Sequence, residues 1–462
     1  MDNWGSMQGS NVKKLQLAAI GLSALTAMSM SGCGSTNAGP ANTTIKVAYQ
    51  QFGNYQPLEK LLNTAKSEVE KANPGTTVTL VPIKAAENDY YTKLSLMNKS
   101  ASTAPDIAYE DTFLIKSDAA AGYLLPLDDY LSKWPEWNQF VTSAQDAGKG
   151  DDGKIYGVSM GTDTRALWYN KELFQKAGIT VPWQPKTWQD IITAAQTIKD
   201  KVPGVMPLNV YSGKAAGEAS SMQGFEMLNY GTPTPLFDSA SQKWVLGSQG
   251  FKDSLAFIHK VYSEGLTPTP QQALDAQINS IVGGQWLPQS KLAIALDGSW
   301  LPSNWGPTGA TPWPGWEKTM ATAAMPTQNG QAPGSVSMSG GWTLSVGAKT
   351  KSPDLAVKFL ETALNQKNSL SYDIDGAQIA VRKDVMSDPA YKSSSSAFGV
   401  LSDVVAVTKF RPANTDYPKV SNNIQVAMEA VMTGQQTVDQ AAQAYDQAVS
   451  SAVGPAKTTG GK

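Results

Sequence analysis

The chain has 462 residues, enough for two large domains or about three of ordinary size. Its 37 Lys and Arg nearly balance its 39 Asp and Glu, so it lacks the basic excess of a nucleic-acid partner, and we expect none. One cysteine excludes a disulfide framework, and one histidine argues against zinc and most Ser/His/Asp sites. We therefore expect neither a metal nor a cofactor.

The first 33 residues have the order of a secretory leader. Two lysines at 13–14 precede an apolar run over 15–30 that is too short to span a bilayer comfortably. The run ends in Met30-Ser31-Gly32-Cys33, which resembles the lipobox of bacterial lipoproteins and implies cleavage before Cys33 and acylation of its thiol. The alternative is a lone buried cysteine, since free Cys is usually buried.

From this leader we expect three properties of the N-terminal region. Residues 1–32 are predicted to be a signal peptide, and residues 33–43, rich in small and polar side chains, a lipidated flexible tether. Acylation of Cys33 would anchor the protein to the extracellular face of a bacterial cell membrane.

The body of the chain begins with a predicted β-α-β unit. A strand over 45–49 is followed by a helix over about 57–71 and a strand over 77–83. Such a unit implies parallel strands joined by a right-handed crossover. Further strands are predicted at 106–109, 155–160, 291–296 and 342–347.

Three later helices carry explicit start signals. Thr187 with Asp190 and Thr437 with Gln440 have capping-box spacing. The Ser-Pro pair at 352–353 places a cap residue before a proline at the first helical position.

Six segments stand out in chain order: Asp152–Gly157, Leu167–Phe174, Pro185–Trp188, Lys291–Trp300, Ser339–Trp342 and Gly434–Val438. Together they resemble the extracellular solute-binding proteins of ABC sugar importers, the maltose-binding-like family. The resemblance implies an α/β protein of the two-lobed, hinge-closing type II periplasmic-binding fold, each lobe a mixed, mainly parallel sheet flanked by helices. It also implies a carbohydrate held between the lobes, ABC permease subunits as partners, and a receptor that works as a monomer.

By analogy with the family, each lobe is assembled from two separate stretches of chain. The N-lobe would comprise 44–162 and 327–375, and the C-lobe 163–326 and 376–456. A tail at 457–462 would follow.

Two tryptophans are the first candidates for stacking on a sugar, because a pyranose has an apolar face that a flat ring can cover. Trp300 follows a strand-like run, at the end where a side chain emerges in an open sheet, and matches the family's stacking position. Trp342 follows two glycines that allow close approach. Which of Trp305, Trp313 and Trp316 line the same cleft is left open.

Polar candidates for the sugar hydroxyls lie near predicted strand ends. Of Glu110 and Asp111, alternation allows only one to face the ligand, and Glu110 is preferred. Asp163 matches an acidic position near the hinge of the family, although a surface ion pair with Arg165 is the competing interpretation. The remaining candidates are Gln51 for the hydroxyl rim and Arg411 as a forked donor.

Two other functions remain possible from the sequence. A secreted glycoside hydrolase would need two carboxylates flanking the scissile bond, and no particular pair is marked. The same fold could also bind a peptide, an amino acid or an anion. We expect a non-enzymatic receptor, with no catalytic residue.

Overall fold

The computed structural model describes residues 43–51, 55–307, 309–394, 398–412 and 414–460. The predicted signal peptide at 1–32 and the lipidation site Cys33 lie outside these ranges. So does the predicted tether at 33–43, except for Thr43, with which the first strand begins.

The described residues form the following strands and helices. The strands are β1 Thr43–Gln51, β2 Thr76–Lys84, β3 Ile107–Asp111, β4 Gly157–Ser159, β5 Arg165–Asn170, β6 Met206–Asn209, β7 Phe237–Asp238, β8 Lys243–Leu246, β9 Leu292–Gly298, β10 Met320–Ala323, β11 Met325–Pro326, β12 Ser335–Ser339, β13 Trp342–Val346, β14 Thr408–Phe410 and β15 Thr458–Gly460. The helices are α1 Pro57–Ala72, α2 Glu87–Asn98, α3 Ile115–Ala120, α4 Asp128–Leu131, α5 Thr142–Ala147, α6 Lys171–Ala177, α7 Trp188–Lys201, α8 Met227–Asn229, α9 Gln249–Ser263, α10 Pro270–Ala273, α11 Ile278–Ile281, α12 Leu301–Trp305, α13 Trp316–Thr319, α14 Pro353–Ala363, α15 Gln366–Asp375, α16 Lys383–Ser387, α17 Pro389–Lys392, α18 Phe398–Asp403, α19 Tyr417–Met432 and α20 Val438–Val453. Two wider, π-helical segments occupy Ala219–Glu226 and Val282–Trp286.

The first large sheet has the strand order β2-β1-β3-β13-β4. β1 and β2 pair in parallel and α1 connects them, so the predicted β-α-β unit is confirmed. The apolar residues of α1 recur every three or four positions, which places them on one face. That face is buried in the core of this sheet through Leu58, Leu61, Leu62, Ala65 and Val69.

The second large sheet has the strand order β10-β5-β9-β6. β5 and β9 are buried along their whole length, because apolar cores cover both faces of the sheet. Alternate residues of β5 therefore enter different cores: Leu167 and Tyr169 one, Ala166 and Trp168 the other.

Both sheets are mixed, as expected, but parallel ladders are not the majority, contrary to the expectation. The first sheet has two parallel and two antiparallel ladders, and the second has one parallel and two antiparallel. The antiparallel ladders all involve β13 or β5. β5 follows β4 of the first large sheet, and β13 follows β12 of a small sheet with the strand order β11-β12-β14. In both cases the chain enters the large sheet without a helical crossover that would impose parallel pairing.

The chain crosses between the sheets at neighbouring places. The Thr162 hydroxyl donates to the Gly340 carbonyl at 2.9 Å, and the Thr162 amide donates to the Ile379 carbonyl at 2.9 Å. Gly341 has a φ of +146°, and a Cβ there would lie 2.7 Å from the Gly161 carbonyl oxygen. The crossovers thus run side by side, and only glycine permits their closest approach.

The predicted segment starts at 327 and 376 stay predictions, and packing can be described for the residues that follow each of them. Val336 and Met338 of β12 are buried in a core of the second sheet, although the predicted N-lobe segment begins at 327. Val381 is buried in the core of the first sheet, and Arg382 donates to the Leu364 carbonyl at 2.7 Å, although the predicted C-lobe segment begins at 376. The predicted tail contains β15, which pairs with β8.

The predicted helix starts are correct in position. The side chains of Thr187 and Thr437 each accept a hydrogen bond from the backbone amide of the third helical residue. The side chain of that third residue accepts one from the threonine amide in return, so both capping boxes are confirmed. Ser352 stands at the cap position before Pro353 but makes no capping hydrogen bond through its side chain. Within the described ranges, none of the helices combines the length and apolar character needed to cross a bilayer.

We predict that Thr187→Ala lowers the free energy of unfolding by about 1 kcal/mol, because it removes the side-chain cap of α7. Urea unfolding followed by circular dichroism measures the change. Thr193→Ala, an exposed position in the same helix, is the matched control. Equal stability of the two variants would contradict a stabilising role for the cap.

Candidate ligand-binding cleft

In both large sheets, the ends of central strands point toward a shared cleft. In the first sheet Asp111 ends β3 and is paired with Trp342, which begins the antiparallel β13. In the second, Gly298 ends β9 and is paired with Arg165, which begins the antiparallel β5. Strand ends from both lobes therefore meet across a cleft of about 480 Å³, within the usual range for small-molecule sites.

Six of the eight predicted ligand-binding residues line this cleft. They are Asp111, Asp163, Arg165, Trp300, Trp342 and Arg411. Glu110 and Gln51 are not among its described lining residues.

Strand alternation explains both exceptions. Only one of two adjacent strand residues can face the cleft, and it is Asp111 rather than Glu110. The Glu110 carboxyl is fully buried on the opposite side, and burial together with Asp118 raises its pKa well above the usual value. In β1 the cleft-facing residue is Gln50, whereas Gln51 donates to Glu59 of α1 at 3.3 Å.

Trp300 sits directly after β9, where Gly298 makes room for it. A Cβ at position 298 would lie 2.0 Å from the nearest atom of the indole ring, so only glycine fits there. The Arg165 guanidinium lies over the ring, 4.7 Å from its centroid, in cation–π geometry. One face of Trp300 is therefore covered by the protein.

Trp342 is held in the same way from the first lobe. Its ring stacks on Tyr109 with the centroids 4.2 Å apart and the planes 5° from parallel. Tyr91 and Tyr90 flank it at centroid distances of 6.0 and 6.1 Å. The stack fixes the orientation of a ring that remains partly exposed to the cleft.

The Asp163–Arg165 pair is buried, not exposed as a surface pair would be. Its charged atoms are in contact, and both side chains are more than nine-tenths covered. The Gly340 amide donates to Asp163 at 2.8 Å, and Arg165 also donates to the Met338 carbonyl at 3.2 Å. The pair thus joins the start of β5 to the crossover before β13.

Arg411 connects the two lobes. Its Nη2 donates to Asp111 Oδ1 at 2.6 Å and its Nη1 to Glu218 Oε2 at 3.2 Å, so one carboxylate comes from each lobe. All three side chains are buried. Tyr91 donates to the second oxygen of Asp111 at 2.8 Å, and the Phe113 ring lies 4.3 Å beneath the guanidinium carbon.

Sequence reasoning missed several acidic and aromatic residues of the cleft. Asp297 accepts from the Tyr211 hydroxyl and from the Gly298 amide, both at 2.7 Å, and burial raises its pKa to about 6. Its position at the end of β9, three residues before Trp300, was the available signal. No sequence signal pointed to Glu87 or Glu218, because neither belongs to a periodic pattern or lies at a predicted strand end.

The two π-helical segments form much of the second lobe's wall. Met222 and Gln223 of one, and Gly284 and Gln285 of the other, line the cleft. Such widened turns are rare in helices and often occur at functional sites. The second segment is supported from behind by Trp305, whose Nε1 donates to the Gly283 carbonyl at 2.7 Å.

The three tryptophans left open by the sequence pack together instead of facing the cleft. Trp313 and Trp316 each lie 5.3 Å from Trp305 between ring centroids, and Trp168 joins them. None of the three is among the described residues that line the cleft.

Comparison with known proteins identifies the family. Residues 46–369 match the family model described as bacterial extracellular solute-binding protein. The chain belongs to this family. As a solute-binding protein it is not an enzyme, which removes the glycoside hydrolase alternative.

Individual relatives extend the similarity over most of the chain. The ABC transporter periplasmic-binding protein YcjN of Escherichia coli K12 is 24% identical over 396 residues, 81% of each chain. A multiple sugar-binding protein of Streptococcus mutans is 22% identical over 376 residues, 79% of this chain and 83% of its own. A solved ABC transporter solute-binding protein from Thermotoga lettingae, bound with α-D-tagatose, superimposes with a TM-score of 0.76 at 21% identity, covering 89% of this chain and 100% of its own. The solute-binding protein therefore has the two-lobed fold that the sequence predicted.

We predict that Glu110→Gln makes stability less dependent on pH. Because the pKa of Glu110 is raised in the folded state, the native protein loses stability as pH rises above the unfolded value of about 4.3. Glutamine cannot ionise, so this loss should disappear. Urea unfolding at about pH 5, 7 and 9 measures the effect.

Glu172→Gln, which removes an exposed carboxylate of α6, is the matched control for this experiment. It should leave the slope of stability against pH unchanged. An identical slope in the Glu110 variant would mean that Glu110 does not contribute to the pH dependence.

Proposed function

We propose that this chain is a receptor that binds a sugar or oligosaccharide between its lobes and delivers it to an ABC import permease. We also propose that acylated Cys33 anchors it to the extracellular face of the cell membrane. The relative from S. mutans is named a multiple sugar-binding protein, and the T. lettingae structure contains α-D-tagatose. These names support a carbohydrate as the ligand of this family member.

The observation that carries the proposal is the chemistry of the cleft wall. Trp342 comes from the first lobe and Trp300 from the second, so aromatic rings are available on both sides of a flat ligand. The cleft is also lined with amide side chains, which both donate and accept hydrogen bonds: Gln50, Gln223, Gln277, Gln285, Gln378, Asn279 and Asn304. Apolar faces with a dense polar rim are what a pyranose requires.

Ligand would favour the arrangement in which both lobes touch it, through a hinge motion at the crossovers. We propose that the N-lobe and C-lobe are the bodies built on the first and second large sheets, acting as a monomer. The predicted segments 44–162 and 163–326 stand as proposals for the first part of each.

A thermal-shift screen of the purified protein against mono- and oligosaccharides, amino acids and inorganic phosphate tests the ligand class. A ligand at 100 times its Kd adds about 2.7 kcal/mol of stability, which raises Tm by several degrees. A shift with sugars supports the proposal. A shift only with an amino acid or phosphate would overturn it and leave the fold intact.

We predict that Trp300→Ala weakens binding of the best sugar by at least about 1 kcal/mol, a rise in Kd of about fivefold, because the stacking face is lost. Isothermal titration calorimetry measures the change. Trp313→Ala is the matched control, since Trp313 is partly exposed and packs on Trp305 outside the cleft. Equal Kd values for the folded Trp300 variant and the wild type would refute the assignment.

We predict that Cys33→Ser releases the protein from the membrane, because serine cannot take the thioether lipid. Expression of the full chain in a bacterial host with labelled palmitate, followed by fractionation, measures both label and location. Ser35→Ala is the matched control and should remain labelled and membrane-bound. An unlabelled wild-type protein would contradict the lipid anchor.

A further inference from the structure

The cleft has an excess of negative charge. Among its described lining residues are five carboxylates but only two cationic side chains, both arginines, and neither lysine nor histidine. Arg165 pairs with Asp163 and also acts on Asp297, whereas Arg411 pairs with Asp111 and Glu218. Each arginine is therefore shared by two carboxylates, so carboxylates outnumber cations in the cleft even without the fifth carboxyl group, that of Glu87.

The excess is greatest at one end, which we call the acidic end and define as Glu87, Asp111 and Glu218 around Arg411. Glu87 comes from α2 and Asp111 from β3, both in the first lobe, and Glu218 precedes a π-helical segment of the second lobe. Asp111 and Glu218 contact the Arg411 guanidinium, whereas Glu87 interacts with it only at longer range. A ligand reaching this end would contact both lobes.

Glu87 is the carboxylate of this group without a cationic partner. It is half-buried, lines the cleft, and forms no ion pair with any described Lys, Arg or His side chain. Burial, together with Asp111 and Glu218, raises the pKa of Glu87 to about 8, while Arg411 and the nearby Tyr91 hydroxyl oppose the rise. The unfavourable interactions are those that a second cation at this end would relieve.

We infer that the sugar bound in this cleft carries a protonated amino group and that this group lies at the acidic end. The inference rests on the proposed sugar-binding function and specifies its substrate class. A neutral hydroxyl can donate to a carboxylate but leaves its charge uncompensated, whereas an ammonium group supplies both charge and several donors.

The aromatic surroundings favour the same ligand. Tyr91 links the acidic end to Trp342, the two ring centroids being 6.0 Å apart. An ammonium group near such a ring gains cation–π attraction as well as ion pairing. An acidic or phosphorylated sugar would instead meet uncompensated carboxylates, and like charges placed together in an interface are strongly unfavourable.

Calorimetric titration with matched sugars tests the inference. The amino-sugar probes are glucosamine, galactosamine, mannosamine and their β-1,4-linked disaccharides. Each is compared with two neutral counterparts, one with the amino group acetylated and one with a hydroxyl group in its place. Glucuronate and glucose 6-phosphate are the anionic probes. At about pH 7 we expect the amino sugar that binds to have a Kd at least about tenfold below both neutral counterparts. The anions should not bind.

A variant assigns this preference to the acidic end. Glu87→Gln should bring the Kd of the amino sugar closer to that of its hydroxyl counterpart, while Asp89→Asn, which removes the same charge from an exposed site on α2, should keep the preference. Thermal unfolding verifies that both variants fold. A full preference retained by the folded Glu87 variant would overturn the assignment to this end.

Proton release provides a readout that a merely structural role would not affect. An ammonium group beside Glu87 favours the charged form of the Glu87 carboxyl and lowers the pKa of that carboxyl. Binding near pH 7 should therefore release protons from the wild-type protein and release fewer from Glu87→Gln. Titration in buffers of different ionisation enthalpy measures the release. Neutral sugars binding as tightly as amino sugars would overturn the inference alone, whereas failure of every sugar to bind would overturn the proposed function.

Discussion

The buried guanidinium of Arg411 is the interaction on which the relation between the lobes depends. A charge removed from water must keep its partners, and those of Arg411 are Asp111 in the first lobe and Glu218 in the second. Tyr91 donates to the second oxygen of Asp111 at 2.8 Å, and the Ser421 hydroxyl donates to the second oxygen of Glu218. Separating the lobes would therefore expose this ion cluster to water and take one partner away from Arg411.

The position of the cleft follows from how the chain passes between its sheets. β5 follows β4 of the first large sheet, β13 follows β12 of the small β11-β12-β14 sheet, and each lies antiparallel to both neighbours in the sheet it enters. Their first residues, Arg165 and Trp342, thereby stand beside the last residues of β9 and β3. Polar and aromatic side chains collect there because strand ends, unlike strand centres, are not covered by helices on both faces.

The two tryptophans show how the site is prepared before a ligand arrives. Each ring has one face occupied by the protein, Trp300 by Arg165 and Trp342 by Tyr109. Packing restricts the side-chain rotamers, so less conformational entropy is lost when a ligand covers the remaining face. Gly298 contributes by making space that any larger residue would fill.

The sequence by itself determined the β-α-β unit, the caps at Thr187 and Thr437, and the tryptophans at strand ends, because each depends on neighbours within a few residues. It also limited Glu110 and Asp111 to one cleft-facing member, but only the tertiary register decided that it is Asp111. Only tertiary packing decided which core buries β12 and which buries Val381, because no local pattern distinguishes the two cores. Only the folded chain brings together Glu87, Glu218 and Arg411, which are separated by more than a hundred residues and share no local pattern, so the charge of the cleft is a property of the tertiary structure.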